Sequence, residues 1–72
     1  MEYLLVHCFE RRRVIIGGAE IADTEAVIQL QAGGHRVTLA TPPDNFSPPD
    51  IPVVLTNTTP LSPLEITFVR KV

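Results

Sequence analysis

A chain of 72 residues with 44% hydrophobic content, six basic and eight acidic side chains and one cysteine describes a single small folded domain, not a disordered segment. That size leaves no room for a cofactor-binding domain beside a substrate domain. One cysteine without Cys/His metal spacing excludes both an internal disulfide and a zinc staple, and a net charge of −2 argues against nucleic acid, whose phosphates demand clustered positive charge. No apolar run approaches the ~20 residues of a membrane span, and no basic start leads into an apolar stretch with a cleavage site. The expectation, if the chain is full length, is a cytoplasmic protein with no cofactor, membrane or nucleic-acid partner. A domain this short buries only about 60% of its unfolded surface, so it must rest on tight packing or on a partner.

Apolar residues recur with a period of two between turn residues, the pattern of half-buried strands. Tyr3 to Phe9 is the first predicted strand, with Leu4, Val6 and Cys8 on one parity. Arg13 to Ile16 is the second, ended by Gly17-Gly18, where glycine reaches positive φ at no steric cost. Ala19 to Gln29 is the only stretch with any helical spacing, through Ala22, Ala26 and Gln29. No capping box fits it, and Val27-Ile28 prefer strand, so the third strand is placed at Val27 to Gln31, broken by Ala32-Gly33-Gly34. His35 to Thr41 is the fourth, with Val37 and Leu39 alternating with Arg36 and Thr38.

Pro42 to Asp50 holds four prolines in nine residues, which forbids helix and most sheet pairing. Phe46 stands alone in this polar stretch and is expected to pack back onto the core. Pro52 to Thr56 is the fifth strand and Asn57 to Pro60 a turn. Leu64 to Val69 is the sixth, with Leu64, Ile66 and Phe68 on one face and Glu65, Thr67 and Val69 on the other. Pro52, Pro60 and Pro63 suit strand ends or edges. The pattern predicts an all-β fold, a small antiparallel β-sandwich of about six strands spanning residues 1–72 as one domain.

Arg11, Arg12 and Arg13 form the densest charge feature, and guanidinium forks suit phosphate or carboxylate. They are the candidate binding residues. The competing assignment is a solvated turn, or pairing with Glu20, Asp23 and Glu25. His7, Cys8 and His35 are the only nucleophile-like set. His7 and Cys8 are adjacent, so in a strand they point to opposite faces; Cys8 reads as a small buried hydrophobe, and His35 as a residue that hydrogen-bonds a turn. Gly17-Gly18 and Gly33-Gly34 lack phosphate-loop spacing. The proline loop is either a partner-docking segment or a stiff connector. Thr56, Thr58 and Thr59 read as strand and turn threonines.

The stretch Leu30-Gln31-Ala32-Gly33-Gly34-His35-Arg36-Val37-Thr38-Leu39 resembles the L-P-A-G-x-H-x-V-x-L hairpin of PEGA domains, small β-sandwich modules of bacteria and archaea. Phe9 to Val14 falls where that family carries its P-E-G-A segment, of which only Glu10 remains. Gly17-Gly18 falls at its Asp-Gly, Thr24 at the threonine of its G-x-T-P, and Phe46 at a common aromatic after the fourth strand. The resemblance implies a non-catalytic module that mediates contacts and carries no catalytic or ligand residues. The functional expectation is therefore a non-enzymatic, cytoplasmic interaction or structural accessory domain that binds a protein partner or itself. The alternative is a small-ligand or carbohydrate-binding module built on Tyr3, Phe9, Phe46 and Phe68.

Overall fold

The computed structural model describes residues 1–41 and 44–71; Pro42 and Pro43 of the proline loop lie outside them. Among the described residues the fold is all-β: β1 (Glu2–His7), β2 (Arg13–Ile16), β3 (Ala19–Asp23), β4 (Val27–Leu30), β5 (Gly33–Leu39), β6 (Phe46–Ser47), β7 (Ile51–Leu55), β8 (Leu64–Thr67) and β9 (Val69–Arg70). No helix long and apolar enough to cross a membrane occurs among them.

Two sheets carry the fold. One has the strand order β4-β1-β8 and the other β3-β2-β5-β7, while β6 and β9 form a separate two-stranded ribbon. Period-two alternation turns one side of each strand inward. Leu4 and Val6 of β1 and Ile28 and Leu30 of β4 meet Val14 and Ile16 of β2, Val37 and Leu39 of β5, and Val53 and Leu55 of β7 in a single buried cluster. This is the expected sandwich. Phe68, the largest of the fully buried side chains, packs edge-to-face on Phe46 at a centroid separation of 5.6 Å and an interplanar angle of 88°. The expectation that Phe46 folds back onto the core is met, and so is the two-faced reading of the last strand. Phe68 is buried and Leu64 and Ile66 are partly so, while Glu65, Thr67 and Val69 are exposed.

The Gly17-Gly18 turn closes the β2–β3 hairpin with φ of +60° and +84°. Two successive positive φ values give the turn whose twist matches paired strands. β3 corrects the weak helical spacing of residues 19–29. Its Ala, Glu and Asp residues have little intrinsic strand preference, but the tight turn delivers them directly beside β2, and pairing overrides propensity. Between Val14 and Ile15 the register shifts, so that Val14 faces Ala22 and Ile15 faces Glu20. Ile21 is the extra residue of that bulge.

Three further differences from the sequence reading concern connectivity. Residues 30–39 are not a hairpin, because β4 pairs with β1 whereas β5 pairs with β2 and β7. The chain crosses between sheets at Gln31-Ala32, and Gly33, at φ +114°, supplies a backbone conformation closed to L side chains. The sandwich is not wholly antiparallel, since β8 runs parallel to β1. The proline loop contributes to pairing after all: Phe46 and Ser47 face Arg70 and Val69. Ribbons this short carry too little periodicity to be seen in sequence, and with β3 they bring the strands among the described residues to nine where six were expected.

Candidate functional site

The three adjacent arginines do not form one surface. They run from the β1–β2 loop onto the first residue of β2 and meet three different environments. Arg12 is only 8% exposed. Its guanidinium donates to Asn45 Oδ1 and to the Ala40 carbonyl. It lies 4.8 Å from the centroid of the Phe46 ring and pairs with Glu10 at 3.5 Å. Its main chain exchanges two bonds with the buried Thr24: Arg12 N–H donates to Thr24 Oγ1 at 3.1 Å, and Thr24 N–H donates to the Arg12 carbonyl at 2.9 Å. A cation this enclosed is a strut between the β1–β2 loop and the segment leading to β6.

Arg13 lies on β2 and reaches across the hairpin to Glu20 at 2.8 Å and Asp23 at 3.1 Å. Its hydrogen bonds, first to Glu20 and then to Asp23, hold its already high pKa higher still. The pairing of this stretch with Glu20 and Asp23 is as the sequence allowed, but Glu25 is engaged elsewhere. Arg11 is exposed, as Arg13 is, but makes no ion pair with any described residue. A three-arginine fork for phosphate is therefore not assembled.

His7 carries a cluster that sequence reasoning missed. Its Nδ1 lies 2.8 and 3.1 Å from the two carboxylate oxygens of Glu25, and its Nε2 lies 2.7 Å from Glu65 Oε1. Hydrogen bonds from Glu65 first, then Glu25, raise the His7 pKa above its ordinary 6.5. The same bond to His7 lowers that of Glu25 below 4.5. The signal was half present: His7 has the parity opposite to Leu4 and Val6, and Glu65 that opposite to Leu64 and Ile66. What brings them together is the parallel β1–β8 register, with His7 opposite Thr67 and Leu5 opposite Glu65, and no local pattern encodes that.

Cys8 packs against the core as a partly buried residue, and its thiol makes no hydrogen bond to an imidazole among the described residues. His35 Nε2 lies 2.8 Å from the Gln31 carbonyl, the turn contact expected of it. Thr58, at the turn before β8, ties the start of β1: its hydroxyl accepts from Tyr3 N–H at 2.7 Å and donates to Glu2 at 2.6 Å, and its N–H donates to Glu2 at 2.8 Å. The aromatics do not gather into a platform. Phe46 and Phe68 are interior, and Arg70 covers Phe9 at 4.4 Å from the ring centroid. Among the described residues no group of His, Cys, Asp and Glu side chains is placed to hold a metal ion, and no pocket opens.

The four edges of the two larger sheets differ in a way that bears on contact. An open edge offers unpaired N–H and C=O groups to another chain, and proteins blunt such edges with charges, prolines and bulges. The β3 edge has its bulge at Ile21 and the charges of Glu20 and Asp23. The β7 edge contains Pro52. The β8 edge carries Glu65 and follows Pro63. The β4 edge, Val27-Ile28-Gln29-Leu30, has none of these devices. Ile28 and Leu30 face inward, and Val27 is 49% exposed on the outer side.

The sequence matches no family model, no curated protein and no solved structure.

Proposed function

We propose that this chain is a non-catalytic interaction module that binds a protein by adding a strand to the open edge of β4. The observation that carries this reading is the contrast among the four edges: β3, β7 and β8 are each blunted, and β4 presents an uncharged, proline-free run of four residues. Main-chain hydrogen bonds along such an edge supply affinity, and alternate side chains supply specificity. The sequence resemblance of residues 30–39 to PEGA domains is in keeping with the same class of activity, although those residues do not pair as a hairpin here. The engaged arginines support it too, because Arg12 is enclosed in the fold and Arg13 is held at the surface by Glu20 and Asp23, which leaves the sheet edges as the binding resource.

The test is capture from native lysate with the tagged chain, run beside Val27→Lys/Gln29→Lys and Arg11→Ala. Both changes in the double variant fall on exposed positions, and lysine is a natural blocker of edge pairing. A stoichiometric protein retained by the unmodified chain and by Arg11→Ala, and lost from the double variant, supports the reading. Loss from Arg11→Ala alone would move the contact to the β1–β2 loop.

A further inference from the structure

We propose that His7, Glu25 and Glu65 form a proton-operated clasp tying edge strand β8 to β1 and to the β3–β4 turn, and that loss of the proton releases Glu65 while Glu25 stays bound.

The argument begins with hydrogen-bond inventory. An ionised carboxylate only accepts, and a neutral imidazole has a single N–H. His7 faces a carboxylate at each ring nitrogen, at 2.8 Å for Glu25 and 2.7 Å for Glu65. Both bonds exist together only when the ring is the imidazolium. After deprotonation one nitrogen presents a lone pair to a carboxylate, and that contact turns repulsive.

The structure also decides which bond breaks. Glu25 is fixed by its own main chain, whose N–H donates to the Val6 carbonyl at 2.8 Å. Its side chain also accepts from Cys8 N–H at 3.3 Å. The residue sits at φ +62°, a left-handed conformation that costs a non-glycine residue energy and persists where surrounding contacts enforce it. Glu65 has no second side-chain partner among the described residues, and its side chain is 59% exposed. The neutral ring therefore keeps its proton on Nδ1 toward Glu25, and Glu65 swings into solvent. The charged groups facing His7 are Glu25 from the β3–β4 turn and Glu65 from β8; Thr67, its register partner on β8, and Leu5, its neighbour on the same face of β1, are uncharged.

The sign follows from the direction of each shift. A raised His7 pKa means that the clasp's stabilisation is complete below 6.5, the unfolded value, and is lost as pH rises through the higher folded value. The lowered Glu25 pKa means that its share is present above 4.5 and is lost as pH falls through the lower folded value. The clasp works between those limits, and near neutral pH it is set by one proton.

The experiment is a pH titration of the His7 ring nitrogens by long-range proton–nitrogen NMR on the isolated chain, with Glu25→Gln and Glu65→Gln beside it. It needs no partner, so its outcome is separate from that of the edge-binding proposal. The expected result is a midpoint above 6.5, an Nδ1–H tautomer on the alkaline side, and a midpoint moved down in each variant. Glu65→Gln keeps the Nδ1–H tautomer, and Glu25→Gln shifts the neutral ring toward Nε2–H. Amide exchange at Glu65 and Thr67 rises across the transition relative to that of β4. An alkaline Nε2–H tautomer in the unmodified chain, or a midpoint that Glu65→Gln leaves in place, overturns the proposal.

Discussion

Replacing Arg12 with alanine tests whether the arginine run is scaffold or binding site. Its side chain is 6% exposed and serves two acceptors, Asn45 Oδ1 and the Ala40 carbonyl, along with the face of Phe46. A hydrogen bond to a charged group contributes about 1.5–3 kcal/mol, and an acceptor left buried without a partner carries its full desolvation cost. A loss of about 3–5 kcal/mol is therefore expected. The whole domain, at roughly 0.05–0.15 kcal/mol per residue, holds only about 4–11 kcal/mol. Urea unfolding followed by far-UV circular dichroism reads the difference. With a slope of about 1 kcal/mol per molar for a chain this small, the Arg12→Ala midpoint falls by about 3–5 M, and the protein is partly unfolded in buffer if the starting stability is at the lower end. Arg11→Ala, at an exposed site, stays within about 0.5 kcal/mol of the parent. Arg12→Lys does not restore stability, because one ammonium cannot reproduce a planar fork stacked on a ring. An Arg12→Ala midpoint equal to that of Arg11→Ala would refute the assignment of Arg12 as an internal strut.

Other outcomes follow from the same contacts. Phe68→Ala removes the largest fully buried side chain and costs about 3–5 kcal/mol, read by the same urea titration, with Phe68→Leu milder. Gly17→Ala, at φ +60°, costs about 1–2 kcal/mol, and Gly17→Asn costs less because asparagine tolerates that conformation. Cys8, packed on the core, reacts with iodoacetamide far more slowly in the native protein than in urea; equal rates at neutral pH would reopen a nucleophilic role. Thermal stability plotted against pH declines on both sides of the window set by Glu25 and His7, and His7→Gln flattens the alkaline limb.

The parts of this fold legible in the sequence were those that repeat along the chain. The alternation Leu4/Val6, Val37/Leu39 and Leu64/Ile66/Phe68 gave the inward faces, and Gly17-Gly18 gave the hairpin, because both follow from local geometry. β3 was hidden because Ala19 to Asp23 is a strand by pairing, not by preference. The crossing at Gln31-Ala32 looked like a hairpin because a glycine-bearing break between two alternating runs is the same string whether the strands pair with each other or lie in opposite sheets. The candidate site divided likewise. The charge of Arg11, Arg12 and Arg13 was plain, but the burial of Arg12 depends on Asn45 and Phe46, more than 30 residues away. His7 and Glu65 meet only through a parallel pairing of strands near the two ends of the chain.

The central claim, contact through the β4 edge, is tested most directly by amide hydrogen exchange of residues 27–30 in the free chain and in the complex recovered with it. The account predicts added protection concentrated in Val27 to Leu30 on binding, and neither complex nor protection with Val27→Lys/Gln29→Lys, whose unfolding midpoint matches that of the parent. Protection confined to another edge or to the β1–β2 loop, or a double variant that binds as the parent does, would contradict it.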